Sequence, residues 1–186
     1  KKIRQKSILE MEISENKKRY DSIKRARDNL IDIGFSNLDS WNSFITLTFE
    51  KGLENEKEYN KRFSDYCKFV RSNFRGFKYI CVPEYQYRGV IHYHILTNLC
   101  CDSSFIPDRP VKIVRSHGKL KELQYYDIVG WDYGFSSAFP IPDNVDDRTH
   151  VVLYLIKYLF KDKKLSDDEK ADMDAEDIIE KINSAY

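Results

Sequence analysis

Residues 77–97, FKYICVPEYQYRGVIHYHILT, constrain the fold more than any other stretch. Two runs rich in β-branched and aromatic residues, 77–85 and 90–97, flank the short link Gln86–Gly89. Glycine there supplies a turn conformation that other residues resist, so the segment predicts an antiparallel hairpin. In a strand, residues two apart point to one face. Ile91, Tyr93 and Ile95 therefore form a row that wants a core, while His92 and His94 converge on the opposite face. A lone buried histidine is ordinarily a hydrogen-bonded core residue. Two side by side on one face fit a metal site as well as they fit a core pair.

Glu84 ends the first run. If the connection holds an odd number of residues, Glu84 shares the histidine face, one pairing step from His92 or His94. Two imidazoles and a carboxylate make a three-ligand set with open positions. That suits Mg²⁺ or Mn²⁺ better than structural zinc, which is closed by four ligands, often thiolates. Gln86 and Arg88 sit beside this set; an ordinary solvent-facing turn residue is the simpler account of Arg88.

The other elements are read from periodicity. Residues 7–30 are a charged helix with a thin apolar stripe, ended by Gly34. SFITLTF (43–49) is an alternating strand, with Ile45, Leu47 and Phe49 on one face and Phe44, Thr46 and Thr48 on the other. Asn55 and Glu58 form a capping box for an amphipathic helix over 56–74, stopped by Gly76. Residues 98–124 are a polar excursion of no clear type, and 126–141 read as another short hairpin. Residues 148–163 form a helix after an aspartate-rich loop, and a polar acidic helix follows Leu165. The order β, α, β, β, excursion, β, β, α predicts an α+β fold: an antiparallel sheet of about five strands with helices packed on it.

On the helix over 148–163, YLIKYLFK contains YxxK twice. At 100° per residue, with Tyr154 at zero, Tyr158 falls near about 40°, Lys157 near about 300° and Lys161 near about 340°. Val152, Leu155, Ile156, Leu159 and Phe160 occupy the other side. The tyrosines thus stand off the apolar stripe. A phenol is a weak nucleophile unless its phenolate is stabilised or its electrophile is polarised. Two lysines one turn away and a half-open metal site would do both, which points to phosphoryl transfer through a phosphotyrosine.

With these residues in place, the chain resembles the HUH endonucleases, the rolling-circle replication initiators. EYQYRGVIHYH resembles their second motif, YLIKYLFK their third and FITLTF their first, in the initiator order, over roughly residues 43–161. HxH alone is weak; the acid–Gln–Arg–Gly–HxH string followed by YxxKYxxK is specific. Tyr93 stands where a bulky aliphatic is common. Two tyrosines four apart resemble the two-tyrosine branch. The resemblance implies an RRM-like five-stranded sheet and nicking of single-stranded origin DNA, leaving a 5′-phosphotyrosine and a free 3′-OH, with later rejoining of strands. It implies Glu84, His92 and His94 as ligands of Mg²⁺ or Mn²⁺, Tyr154 and Tyr158 as nucleophiles, and Lys157 and Lys161 as phosphate contacts. Thr46, Thr48, Gln86 and Arg88 are candidate DNA contacts. Single-stranded DNA or a hairpin origin would be the partner, with host polymerase and helicase; no GxxxxGK[ST] is present to supply a helicase.

Composition sets the outer bounds. The 186 residues suffice for one domain with a real core. They divide into a basic helical segment over 1–36, the catalytic domain over 37–165 and an acidic helix or tail over 166–186. A formal net charge of +1 says nothing about partners. The basic start fits a polyanion, although solvated helices explain both charged ends equally well. Four cysteines without CxxC spacing fit a reducing cytoplasm, here that of a bacterial host, and no apolar run is long enough to span a membrane. His117 with Cys100 and Cys101 is too irregular for a second metal site. Tyr85, Tyr87, Trp131 and Tyr133 are candidate base-stacking or core residues. The first residue is Lys, which fits a domain cut from a longer protein. Abundant Lys, Asn, Ile and Tyr fit an AT-rich plasmid or phage genome. Two other readings remain open: a transposase or mobilisation nuclease with the same chemistry, and a non-catalytic RRM-like nucleic-acid-binding module.

Overall fold

The structure is a computed structural model that describes residues 2–53, 55–86, 89–101, 105–106, 112–116, 119–123 and 127–159; side chains are described within 14–53, 55–86, 89–101 and 127–159. Arg88, Lys161, Tyr87, His117 and the stretch 166–186 therefore lie outside the described residues. In chain order, the elements are α1 (Lys2–Ser36), a 3₁₀ turn (Leu38–Ser40), β1 (Ser43–Thr48), α2 (Glu56–Asn73), β2 (Tyr79–Tyr85) and β3 (Ile91–Thr97). They continue with β4 (Phe105–Ile106), β5 (Lys112–Ser116), β6 (Lys119–Leu123), β7 (Asp127–Ile128), β8 (Ser136–Pro140) and α3 (Val145–Leu159).

The hairpin forms as its sequence requires. β2 and β3 pair antiparallel with Glu84 opposite His92 and Tyr85 opposite Ile91. Gln86 N donates to Val90 O at 2.9 Å and Gly89 N to Gln86 O at 2.9 Å, so three residues turn the chain. Gly89, at φ 75°, takes the left-handed position of such a turn. An odd connection places Glu84 on the histidine face. Pro83 costs little because β2 is an edge of the described sheet.

Among the described residues the central sheet has four antiparallel strands in the order β2-β3-β1-β8, where the sequence predicts about five. The expected hairpin over 126–141 is the reason. β7 pairs with β4 in a separate two-stranded sheet, and only β8 joins β1. Between them the chain leaves the ladder: Gly130 turns it at φ 85° and Trp131 enters the core, its Nε1 donating to Thr48 O at 3.1 Å. The excursion contains a second small sheet, β5-β6.

Both faces of the central sheet are covered. On one, Ile45, Leu47, Phe49, Ile91, Tyr93, Ile95 and Ala138 pack with Tyr59, Tyr66 and Val70 of α2. Asn55 caps α2, its side chain accepting from Glu58 N at 3.1 Å. On the other face, Phe44, Val82 and Leu96 pack with Leu30 of α1 and Val152, Leu155, Ile156 and Tyr158 of α3. Gly34 does not end α1. It lets α1 and α3 approach, because a Cβ there would sit 2.7 Å from Val152 Cγ1. The helix runs on to Ser36, and Trp41 Nε1 caps the Gly34 carbonyl at 2.8 Å.

Candidate active site

Register assembles the site in lateral rows across the α3 face. Glu84, His92 and Thr48 are successive partners across β2, β3 and β1; Val82, His94 and Thr46 form the next row. Cross-strand and diagonal neighbours on one face lie within reach of each other. The donor atoms of Glu84, His92 and His94 accordingly lie within 4.8 Å of one another, and among the described residues this is the one such cluster. Glu84 and His94 are buried at 9% and 4% exposure, whereas His92 is half-buried.

Each member is oriented by a neighbour. Glu84 Oε2 lies 2.8 Å from His94 Nε2, across the diagonal. The other ring nitrogen of His94, Nδ1, is 3.3 Å from Thr46 Oγ1. Gln86, two residues beyond Glu84 on the same face, places its side-chain nitrogen 3.4 Å from His92 Nδ1. Thr46 and Thr48 thus face the histidine side. The donor set fits a divalent cation: a carboxylate and two imidazoles converge, and a hydroxyl beside Nδ1 can accept its proton and leave Nε2 as the ligand atom.

Helix α3 brings the tyrosines to this cluster, but not equivalently. The Tyr158 ring stacks on His94, centroids 3.6 Å apart and planes 16° from parallel. Tyr158 is 8% exposed and belongs to the apolar cluster under α3, so the expectation that both tyrosines avoid the core fails for it. Stacking on an imidazole is the packing that periodicity alone does not reveal. Tyr154 is 47% exposed and touches Phe44 edge-on. The two hydroxyls meet, Tyr158 Oη donating to Tyr154 Oη at 2.5 Å. Burial, reinforced by the Tyr154 hydrogen bond and then by the charges of Tyr154 and Glu84, pushes the Tyr158 phenol well above its usual range. Lys157 is exposed in the last turn of α3.

The remaining aromatic candidates separate. Trp131 is core, and Tyr133 stacks on Phe49 with the Arg62 guanidinium 4.9 Å over its ring. Tyr85 is exposed and hydrogen-bonds Glu56. Cys67, Cys81, Cys100 and Cys101 are free thiols, so Cys100 and Cys101 form no disulfide. Phe135, which the sequence alone does not single out, lies in the row of the cluster. No local pattern could have found it, because its place depends on how β8 registers on β1.

A sequence model of the replication-associated protein ORF2 family matches residues 42–163, which hold the four-stranded sheet, the Glu84–His92–His94 cluster and both tyrosines. No curated protein matches the chain. Among solved structures, the hypothetical protein ORF119 from Sulfolobus islandicus rod-shaped virus 1 is similar at 19% identity and a TM-score of 0.42, over 75% of this chain and 97% of that one. No described helix is long and apolar enough to cross a membrane.

Proposed function

The chain belongs to the replication-associated protein ORF2 family, which sets it in DNA replication, and from that premise we propose that it is a replication initiator that nicks single-stranded origin DNA through a tyrosine. The observation that carries this reading is the seating of Tyr158 flat on His94, with the exposed Tyr154 hydroxyl in hydrogen bond to it. That stack sets the tyrosine pair beside one of the three residues that could hold a metal ion.

Tyr154 attacks first, because its hydroxyl is open to a polymer while Tyr158 is enclosed. A Tyr154 Oη–P bond forms, the bond from phosphorus to the 3′ oxygen breaks, the phenolic proton passes to water, and the departing 3′ oxygen takes up a proton from water to end as a hydroxyl. Donation from Tyr158 Oη stabilises the phenolate as it develops. Tyr158 serves the second transfer that rejoins strands, and the reaction runs in reverse when a 3′-OH attacks the phosphotyrosine. Glu84, His92 and His94 would hold Mg²⁺ or Mn²⁺, which supplies polarisation of the phosphate when bound. Lys157 and Lys161 contact the phosphate; Thr48 and Arg88 contact the DNA strand. A transposase or mobilisation nuclease would share this chemistry. An open RRM-like binding platform fits less well, because helices cover both sheet faces.

The test is a covalent adduct between the chain and single-stranded origin DNA in Mn²⁺, resolved on a denaturing gel. Wild type should form it, Tyr154→Phe should cut the first-step yield by at least about 10²-fold, and Tyr154→Phe with Tyr158→Phe should abolish it. An adduct persisting in the double variant ends the mechanism.

A further inference from the structure

Phe44, Thr46 and Thr48 stand on one face of β1, and the proposed chemistry uses only the two threonines. Phe44 is buried, and its ring stacks on that of His94 with centroids 5.9 Å apart and planes 22° from parallel. It also meets the Tyr154 ring at 5.5 Å and 62°. Tyr154 in turn meets Tyr158 edge-on at 5.2 Å, and Tyr158 lies flat on His94. Phe44, His94, Tyr158 and Tyr154 thus close a circuit of four rings, each within the range of aromatic pairing with the next. Phe44 is the one member with no atom that can bind a metal, carry a proton or attack phosphorus.

The two tyrosines depend on this circuit unequally. Tyr158 is enclosed by the core under α3 and by the imidazole. Tyr154 is exposed, and solvent fixes no rotamer. An aromatic side chain on a helix has two χ1 wells open to it, near about 180° and about −60°. Ring contacts select between them. Tyr158 belongs to the same helix as Tyr154 and moves with it, whereas Phe44 belongs to the strand paired with that of His92 and His94. Among the described residues, Phe44 is therefore the ring that ties Tyr154 to the strands bearing the metal ligands. A displacement of about 1 Å at a reacting group can cost on the order of 10²-fold in rate, so that tie bears on the reaction.

We propose that Phe44 is a positioning residue that selects Tyr154 over Tyr158 for the first transfer, by holding the Tyr154 ring against the strand that also flanks His94. This role rests on the nuclease reading and deepens it: exposure opens Tyr154 to DNA, and Phe44 fixes where its hydroxyl stands. The same bonds form and break at either phenol, so removing the ring changes which tyrosine takes the phosphate.

The sequence supplies the readout. Trypsin cuts after Arg148, Lys157 and Lys161, so Tyr154 falls in the peptide THVVLYLIK and Tyr158 in YLFK. The full chain is given single-stranded origin DNA and Mn²⁺ for one turnover, the DNA is trimmed by nuclease, and the two phosphotyrosyl peptides are quantified by mass spectrometry. Wild type should carry the phosphate chiefly on Tyr154. In Phe44→Leu, which keeps apolar bulk without a ring, the ratio of Tyr154 to Tyr158 adduct should fall about 2- to 12-fold, the population that one aromatic pair holds. Phe44→Tyr, which keeps the ring, should preserve the wild-type ratio. Partial unfolding or a weakened metal site lowers both adducts together. An unchanged ratio in Phe44→Leu, or loss of both adducts together, therefore overturns the positioning role. So does a Phe44→Tyr ratio that falls with that of Phe44→Leu, or a wild-type adduct chiefly on Tyr158. If wild type modifies neither tyrosine, the nuclease reading falls and takes this role with it. If wild type forms the Tyr154 adduct and Phe44→Leu leaves the ratio alone, the role of Phe44 falls and the nuclease stands.

Discussion

The two faces of the central sheet are made by the same strands and do opposite work. Toward α2, alternate residues are almost all apolar, and rings pack in series: Phe63 stacks on Tyr93 at 4.3 Å, and Phe49 meets Tyr59 at 4.7 Å and Trp131 at 5.0 Å edge to face. Toward α3 the face divides along the strands. One end, with Phe44, Val82 and Leu96, is core; the other, with Glu84, His92, Thr46 and Thr48, is polar. His94 sits at the boundary, buried and flanked by Phe44 and Tyr158. The α2 face supplies cohesion, which frees the α3 face to hold groups whose desolvation costs stability.

That contrast can be broken most severely from the cohesive side. Leu47 is fully buried toward α2, and Leu47→Ala should lower unfolding free energy by about 2–5 kcal/mol in urea denaturation. His92→Ala, on the same sheet but half-buried on the polar face, should cost under about 1 kcal/mol. Comparable losses would mean that the polar cluster is structural cement.

A finer cut separates orientation from packing on the α3 face. Thr46→Val keeps the shape but removes the oxygen beside His94 Nδ1. Mn²⁺ affinity by calorimetry should fall about 10- to 100-fold, while the α2 face and its near-ultraviolet circular dichroism stay unchanged. Unaltered affinity would remove Thr46 from the metal site.

The gentlest probe is alkaline pH, which titrates the cohesive face. Burial, with help from the neighbouring Cys67, pushes the Tyr79 phenol up to about 12, and burial raises Tyr66, Tyr93 and Cys67 as well. A folded pKa above the unfolded one means that the unfolded chain releases its protons first. The stability contributed by neutral Tyr79 is therefore fully present below about pH 10 and is lost as pH rises from there through 12. Urea midpoints should fall steadily across that window, and a flat profile would show that these phenols ionise equally in both states.

Much of this architecture was legible locally. Strand alternation separates Ile91, Tyr93 and Ile95 from His92 and His94, and the α2 cap and stop are written in Asn55 and Gly76. The count of strands was not, because β7 and β8 look like one hairpin until Trp131 is drawn into the core between them. Helical periodicity placed Tyr154 and Tyr158 on one arc. It could not say that one would be enclosed by an imidazole from a strand far earlier in the chain.

The sequence by itself determined which side chains share a face, because periods of two and of 3.6 residues are properties of the local backbone. It also determined that the two runs would be joined through a turn at Gly89, but the odd connection that turns Glu84 toward the histidines came from the strand pairing. Tertiary structure alone decided that Thr46 would meet His94, that Tyr158 would be buried while Tyr154 stayed open, and that Phe135 would join the cluster's row. Those outcomes depend on pairings between strands and helices far apart in the chain. Their register is chosen by the packing of whole faces, so no short stretch contains it.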